Sequence, residues 1–232
     1  MEVLFVECRL KDWVFREDAK ENILKEIKNY ESVTIVSTVQ YLDIIGLIED
    51  FLKENNKKVI VSKSLKHAKY KGQVLGCDAE AALKNKADVV IYIGDGMFHP
   101  IAVMMESDTP VLAFNPKTYE IKKITDENIK IYRMRKALAF DKLKHSDKIG
   151  ILVSIKPGQY NPDVAVETKN KFEKKGKKAF IFVFDELQID SLINFPDVES
   201  WVNTACPRMA LEDAFRFRQS ILNYDEIEWQ NL

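Results

Sequence analysis

Cysteine is scarce in this sequence, and no two cysteines lie close together in it. The three cysteines among 232 residues, Cys8, Cys77 and Cys206, lie far apart along the chain. This spacing excludes a disulfide framework and the CxxC signatures of zinc sites and thioredoxin-like redox sites. In a reducing cytosol, such thiols remain free or bind a metal.

An excess of one charge and long apolar runs are also missing. The 35 basic and 36 acidic residues leave a net charge of -1, so no general field attracts nucleic acid or an anionic membrane. No apolar run reaches the roughly 20 residues of a membrane span, and the opening MEVLFVECRLKDW lacks the layout of a signal peptide. We therefore expect a cytoplasmic protein with no direct nucleic-acid partner and no membrane partner.

The sequence does contain a regular alternation of two apolar patterns. Short β-branched runs take turns with longer segments of 3.6-residue period, and 46% of the residues are apolar. This alternation predicts an α/β fold with parallel sheets flanked by helices. In the first half we predict strands over 32–36, 59–61 and ADVVIYIG, and from Pro110 over PVLAF, with helices over 41–55 and 79–86 and after Pro100.

The second half of the chain repeats the opening of the first. The stretch from Ile35, IVSTVQYLDIIGLIEDFLKENNKKVIV, aligns with LVSIKPGQYNPDVAVETKNKFEKKGKKAFIF from Leu152. Both contain a strand, a serine, a turn ending in Gln-Tyr, an amphipathic helix, Lys-Lys and a second strand, so we predict tandem similar domains. The predicted segments are a middle α/β domain over 31–132, a connecting helix over 133–148 and a C-terminal α/β domain over 149–232.

Residues 1–30 fit neither copy. MEVLFVECR predicts a buried strand that begins at the first residue, and residues 18–30 predict a helix with Asp18 as a possible N-cap. A parallel strand that has no preceding βαβ unit must pair with the sheet of another domain. We therefore interpret residues 1–30 as the remnant of a preceding α/β domain.

Cys77 lies in the stretch GQVLGCD, which follows a predicted strand and a basic loop in the sequence. Gly72 and Gly76 allow the backbone to turn closely around a bound group. Lysines at positions 63, 66, 69 and 71 favour the thiolate, which is the form that binds iron. The alternatives are that Cys77 is a small buried apolar residue and that the basic run is a solvated loop.

Cys206 lies in NTACPRMALED, where Pro207 and the small residues after a strand predict a tight strand-to-helix turn. Arg208 offers a bidentate fork to a carboxylate. The alternative is an ordinary helix start in which Arg208 pairs with Asp213. Cys77 and Cys206 both fall on the carboxyl side of strands, the rim where open parallel sheets place their ligands.

Two further glycine turns follow predicted strands. GDGMFHP, residues 94–100, can wrap a small polar ligand through Asp95, and His99 can donate a hydrogen bond or take a proton. The alternative is a capped helix start with a structural histidine. KPGQY, residues 156–160, presents Lys156 and Gln159 at another strand end, and its alternative is a plain connector.

Five segments together resemble the archaeal diphthamide synthase family, 2-(3-amino-3-carboxypropyl)histidine synthase. They are VSTVQYLD, GQVLGCD, IGDGMFHP, LVSIKPGQY and NFPDVESWVNTACPRMALED. The resemblance implies three similar α/β domains that each give one cysteine to a 4Fe-4S cluster, in a homodimer. It also implies radical transfer of the 3-amino-3-carboxypropyl group from S-adenosylmethionine to C2 of a histidine in elongation factor 2.

The resemblance assigns Cys77 and Cys206 as the second and third cluster ligands. It implies that the remaining site residues contact S-adenosylmethionine or the incoming histidine. We expect Arg208 and His99 in catalytic roles, and cofactor-binding roles for Gln73, Gly76, Asp95, Lys156 and Gln159.

The sequence opens at the strand that would end the family's first domain, so we expect the remaining ligand on a partner chain or on a further domain. Cys8 lies at the end of that strand, where the family has no ligand, and we interpret it as a buried strand residue. Two other readings stay open. One is a truncated, non-catalytic homologue that binds elongation factor 2 or a full-length partner. The other is a different three-domain enzyme such as quinolinate synthase, against which NTACPRMALED argues.

Overall fold

The computed structural model describes Leu4, residues 6–107 and residues 109–232. The chain divides into two compact units, Met1–Lys130 and Ile131–Leu232, here called unit 1 and unit 2. Each unit contains a largely parallel sheet flanked by helices. The α/β class predicted from the alternating apolar patterns is therefore confirmed.

Unit 1 is built on a five-stranded sheet. Its strands are β1 (Ser32–Ser37), β2 (Lys58–Ile60), β3 (Val89–Ile93), β4 (Val111–Phe114) and β5 (Ile121–Ile124). The order across the sheet is β2-β1-β3-β4-β5, and only β5 runs antiparallel to its neighbour. The chain order reverses between β1 and β3, which makes their carboxyl ends the topological switch point where open sheets bind ligands.

The helices of unit 1 cover the sheet with apolar faces. They are α1 (Glu17–Glu26), α2 (Leu42–Glu54), α3 (Glu80–Leu83) and α4 (Phe98–Glu106). On α2, Ile44, Ile48 and Leu52 are buried at the i, i+4, i+8 spacing of one helix face, and Ile23 of α1 belongs to the same core cluster. Strand β3, VVIYI, is buried along its whole length, as expected for a central strand covered on both faces.

Unit 2 repeats this plan with a four-stranded, all-parallel sheet. Its strands are β6 (Lys148–Ser154), β7 (Lys178–Phe184), β8 (Ser200–Asn203) and β9 (Ser220–Asn223). The order β7-β6-β8-β9 puts the switch point between β6 and β8. The helices are α5 (Asp126–His145), which contains the boundary between the units, α6 (Pro162–Lys174) and α7 (Arg208–Leu211).

A glycine in β6 fixes the packing on one face of the second sheet. A Cβ atom on Gly150 would lie 2.2 Å from Cζ3 of Trp201, whose side chain is completely buried. The indole therefore lies directly on the β6 backbone, and Phe182 packs edge-on against it at 5.0 Å between ring centroids.

The prediction of a strand at the start of the chain is wrong, because the described residues there do not form one. Val6 to Arg9 adopt no regular secondary structure, and Leu4 and Val6 are exposed; Met1 to Val3 and Phe5 lie outside the described residues. A single strand needs a neighbouring strand to pair with, and the described sheets offer it none. Cys8 is accordingly exposed rather than buried.

Several boundaries also differ from the prediction. α1 begins at Glu17, so Asp18 lies in its first turn and is not the N-cap; its carboxylate pairs with Arg16. α5 begins at Asp126, earlier than the predicted connecting helix, and ends at His145. The short strands β5 and β9 were not predicted, because IKKI is half charged and SILN is too brief to show a period.

Within the described ranges, none of the helices has the length and apolar character needed to cross a bilayer.

Candidate functional site

The GQVLGCD stretch lies at the switch point of unit 1. After β2 the chain returns to the carboxyl end of β1, where Ser37 and Gln73 form a parallel bridge. The Ser37 N–H donates to the Gly72 carbonyl at 2.8 Å, and the Val74 N–H donates to the Ser37 carbonyl at 2.9 Å. Since Ser37 pairs with Ile93 of β3, the loop runs beside the strand end from which GDGMFHP starts.

Gly72 is required where the loop meets the sheet. Its φ is +74°, in the left-handed region that disfavours side chains. A Cβ atom there would lie 2.6 Å from Ile45 Cδ1 and 2.9 Å from Val61 Cγ1. Any larger residue would push the loop away from the sheet.

Cys77 lies at the tip of a tight turn. The Leu75 N–H donates to the Asp78 carbonyl at 2.9 Å, and the Asp78 N–H donates back to the Leu75 carbonyl at 3.1 Å. Cys77 is exposed between them. A Cβ atom on Gly76 would lie 2.3 Å from the Phe98 ring, so the turn packs against the start of α4. The structure thus brings the predicted residues Gly76 and Cys77 together with the GDGMFHP segment.

Asp78 anchors this turn and was not predicted from the sequence. Its Oδ2 atom accepts hydrogen bonds from Ser64 Oγ at 2.6 Å, Ala68 N at 2.8 Å and His67 N at 2.9 Å. Burial alone would raise the pKa of Asp78, but these hydrogen bonds outweigh it and the pKa is lowered. A buried, ionised carboxylate therefore holds residues 64–68 of the loop close to the Cys77 turn.

Gln73 is also part of the loop's internal framework. Its Oε1 atom accepts hydrogen bonds from the backbone N–H groups of Lys69 and Tyr70, both at 2.9 Å, and its side chain is buried. The amide carbonyl of this predicted cofactor-binding residue is therefore engaged by the backbone.

The segment that contains Cys8 is tied to the same loop. The Glu7 carboxylate accepts a hydrogen bond from the Tyr70 hydroxyl and lies 3.6 Å from Lys69 Nζ. This hydrogen bond is the main cause of the lowered pKa of Glu7. Arg9 stacks over the Tyr70 ring at 4.7 Å and donates to Asp43 at 2.7 Å. Cys8 thus lies between Glu7 and Arg9, whose side-chain contacts hold its backbone beside the Cys77 loop.

Asp95 follows β3 and is exposed. Its Oδ2 atom accepts a hydrogen bond from Lys117 Nζ at 2.7 Å. This contact is the largest cause of the lowered pKa of Asp95, and a hydrogen bond from Tyr41 adds to it. The predicted polar residue of the GDG turn is therefore an ionised carboxylate with a lysine partner.

His99 lies in the first turn of α4 against a buried tyrosine. The rings of Tyr92 and His99 stack at 5.8 Å with an interplanar angle of 15°, and the Tyr92 hydroxyl lies 3.4 Å from His99 Nδ1. Burial raises the pKa of Tyr92. Gly94 makes this arrangement possible, because a Cβ atom there would lie 2.3 Å from the Tyr92 hydroxyl. Tyr92 was not singled out from the sequence.

In unit 2, the Cys206 turn is held by an asparagine network at the carboxyl end of β8. Asn203 Nδ2 donates to the Cys206 carbonyl and to Asn223 Oδ1, both at 2.8 Å. Asn223 Nδ2 donates to the Pro207 carbonyl at 3.2 Å, and Asn161 Nδ2 donates to the Thr204 carbonyl at 3.1 Å. Cys206 itself is partly buried. These asparagines were not predicted from the sequence, and they fix the turn through side chains from three separate segments.

Arg208 begins α7 and is exposed. Its guanidinium pairs with Glu212 one turn later, and not with Asp213 as in the ordinary alternative. Lys156 and Gln159 lie in the turn after β6, where the Gln159 N–H donates to the Lys156 carbonyl at 3.0 Å and Lys156 Nζ lies 3.8 Å from Glu186. Lys156 and Gln159 thus follow β6, and Cys206 and Arg208 follow β8. The switch point of unit 2 lies between these two strands.

Each unit therefore presents one thiol on a fixed turn at its switch point. None of the three cysteines forms a disulfide. In the part of the chain that the structure describes, no group of three or more His, Cys, Asp or Glu side chains is arranged to hold a metal ion.

Comparison with known proteins gives consistent matches along the chain. A family model described as "Putative diphthamide synthesis protein" matches residues 1–230. A 2-(3-amino-3-carboxypropyl)histidine synthase from Pyrococcus horikoshii is 30% identical over 213 residues, which are 91% of this chain and 60% of that protein. The synthase of the same name from Methanocaldococcus jannaschii is 28% identical over 225 residues, 93% of this chain and 58% of that protein.

A solved structure matches as well. The crystal structure of Dph2 from Pyrococcus horikoshii with a 4Fe-4S cluster has a TM-score of 0.81 and 28% sequence identity. The match covers 92% of this chain and 61% of the Dph2 chain. The present chain spans about three fifths of the length of these archaeal relatives.

Proposed function

The chain belongs to the diphthamide synthesis family, and on that premise we propose that it serves the first step of diphthamide biosynthesis. In this step the 3-amino-3-carboxypropyl group of S-adenosylmethionine is transferred to C2 of a histidine in elongation factor 2. The observation that carries the proposal is the family match over residues 1–230. Since elongation factor 2 acts in the cytoplasm, we place the protein there.

The two thiols on the switch-point turns fit an iron-sulfur cluster. Cysteine thiolates are the ordinary ligands of 4Fe-4S clusters, and Cys77 and Cys206 both lie on turns fixed by hydrogen bonds from neighbouring segments. Cys77 is exposed and Cys206 is partly buried, so neither residue is enclosed in a core. We assign these two residues as cluster ligands.

When bound, the cluster would supply one electron that cleaves the bond between sulfur and the methionine Cγ of S-adenosylmethionine. This cleavage gives methylthioadenosine and a 3-amino-3-carboxypropyl radical, which adds to the imidazole C2. That adduct would return one electron to the cluster and lose the C2 proton to a base, which restores the aromatic ring. We place the third cluster ligand on a partner chain or on a further domain.

The other predicted residues have roles that suit their contacts. Arg208 is exposed, so its guanidinium can exchange Glu212 for the carboxylate of the aminocarboxypropyl group. His99, oriented by Tyr92, is positioned to take the proton that leaves C2. Gln73, Gly76, Asp95, Lys156 and Gln159 would shape the binding surface for S-adenosylmethionine at the two switch points.

Anaerobic reconstitution of the full chain with iron and sulfide tests the cluster assignment. We expect protein-bound iron and sulfide and a visible absorbance band, all strongly reduced by Cys77→Ser and by Cys206→Ser. Cys8→Ser is the control, because it removes an exposed thiol that we do not assign as a ligand.

Equal iron content in all three variants and the wild type would contradict the assignment. Loss of iron in Cys8→Ser alone would move the ligand role to Cys8. A wild-type chain that binds no iron but co-purifies with elongation factor 2 or a full-length relative would support the non-catalytic alternative instead.

A further inference from the structure

Unit 2 contains a pocket that the proposed reaction does not use. It has a volume of about 260 Å³ and lies between α5, the segment 210–217 and strand β9 at the edge of the sheet. None of the cysteines or other candidate site residues lines it. We call it the β9 pocket, and its apolar wall includes Leu138, Ala139, Leu211, Ala214, Phe215 and Phe217.

The apolar surface continues beyond the β9 pocket onto α5. Phe215 is 70% exposed and Leu138 is 67% exposed at the pocket rim. Ile131 and Met134, also exposed, precede Leu138 at the i, i+3, i+7 spacing of one helix ridge. This ridge is about 10 Å long. Contiguous exposed apolar surface of this kind is typical of a site where another protein binds.

The charges that line the β9 pocket are mainly positive. Lys136 Nζ lies 3.5 Å from the Glu226 carboxylate, so these two side chains form an ion pair. The two remaining charged residues in the lining are Arg135 and Arg218, and neither has a carboxylate partner among the described residues. Guanidinium groups beside an apolar wall favour a ligand that carries carboxylates next to apolar side chains.

We propose that the β9 pocket and the Ile131–Met134–Leu138 ridge together bind an acidic amphipathic helix of a partner protein. An apolar side chain of the helix enters the pocket against Phe215, and its carboxylates pair with Arg135 and Arg218. A small anion would leave the ridge uncovered, whereas a helix laid along α5 covers both features. None of the residues assigned to the transfer reaction lines the β9 pocket, so the proposed helix binding does not depend on that reaction.

A labelled model peptide tests this proposal. The probe is a helix of about 15 residues, with leucines on one face and glutamates on the other, and its fluorescence anisotropy is followed as the full chain is added. A second peptide has lysine in place of every glutamate. We expect saturable binding of the acidic peptide, weakened by rising salt, and at least about tenfold weaker binding of the lysine peptide.

Matched variants locate the binding surface. Phe215→Ser and Arg218→Glu should each weaken the acidic peptide about tenfold or more, the effect of removing a central contact. Val183→Ser and Lys174→Glu likewise replace an exposed apolar residue by serine and an exposed cation by glutamate, at positions of unit 2 outside the pocket lining, and should bind as the wild type does. Far-UV circular dichroism checks that all four variants are folded.

Equal affinity for both peptides would overturn the proposal, as would unchanged affinity in Phe215→Ser and Arg218→Glu. Sedimentation velocity adds a further decisive measurement. Self-association of the wild-type chain that Phe215→Ser abolishes would assign this surface to a second copy of the chain, and the proposal of an acidic helix would be wrong.

Discussion

Replacing Asp78 with alanine should loosen the loop that carries Cys77 and leave unit 2 unchanged. The Asp78 carboxylate accepts hydrogen bonds from Ser64 Oγ and from the backbone N–H groups of His67 and Ala68, at 2.6 to 2.9 Å. Alanine removes all of these acceptors at a position where the side chain is 2% exposed. Water therefore cannot readily replace them.

The magnitude follows from the donors that lose their partner. A buried donor without a partner costs about 1–3 kcal/mol, and a hydrogen bond to a charged group contributes about 1.5–3 kcal/mol. Ser64 retains Glu80 as an acceptor, so the main losses are at three backbone N–H groups, those of His67 and Ala68 and that of Glu80, which donates to Asp78 Oδ1 at 3.1 Å. We expect local stability to fall by about 3–4 kcal/mol, which corresponds to an equilibrium constant for loop opening that is at least about 100-fold larger.

Hydrogen exchange followed by mass spectrometry measures this opening peptide by peptide. Exchange in residues 62–80 should accelerate in Asp78→Ala, while peptides of β6 and β8 act as an internal reference. Asp185→Ala is the control, because Asp185 is an exposed aspartate after a strand. Unchanged exchange in residues 62–80 would refute the view that Asp78 holds the loop.

The acid stability of the loop should follow the same carboxylate. The pKa of Asp78 is lowered from 3.8, so its contribution is fully present above that pH and is lost as the pH falls through the lower, folded-state pKa. We expect the wild-type loop to open progressively below about pH 4. In Asp78→Asn the same peptides should exchange faster at neutral pH and show a weaker dependence on pH in that range.

Three glycine substitutions give further predictions. Gly150→Ala should lower the free energy of unfolding of unit 2 by about 2–3 kcal/mol, measured by urea denaturation, because its Cβ atom would lie 2.2 Å from the buried Trp201 ring. Gly46→Ala should raise the stability of unit 1 by about 0.5–1 kcal/mol, because this exposed position in α2 has no atom within 4 Å of an added Cβ. Gly76→Ala should displace the Phe98 ring and reduce iron incorporation at Cys77 without unfolding the chain; full incorporation would show that the turn tolerates the methyl group.

The sequence predicts correctly that GDGMFHP and KPGQY follow strands, because short apolar runs that end in glycine turns mark strand ends directly. It does not reveal which strands are neighbours. The switch points arise because β1 pairs with β3 and β6 pairs with β8, and these pairings depend on contacts between distant parts of the chain. For this reason GQVLGCD and GDGMFHP could be recognised separately but not predicted to touch through Gly76 and Phe98.

The supporting residues were missed for a related reason. Asp78 follows Cys77 in the sequence, but its importance comes from donors 10 to 14 residues earlier. Asn203 and Asn223 are 20 residues apart and meet only because β8 and β9 are paired. At the start of the chain the error is the opposite one, because a strand was predicted that the described residues do not form. The apolar pattern there predicts a strand whether or not a neighbouring strand is available for pairing.

Labelling of elongation factor 2 tests the central claim most directly. The full chain is reconstituted together with the domain or partner that supplies the third cluster ligand, and is incubated without oxygen with elongation factor 2, a chemical reductant and S-adenosylmethionine labelled in the aminocarboxypropyl carboxylate. We predict label bound stably to the target histidine, identified by peptide mass spectrometry, and no label with Cys77→Ser or Cys206→Ser. A chain that carries a complete cluster and leaves elongation factor 2 unlabelled would contradict the account.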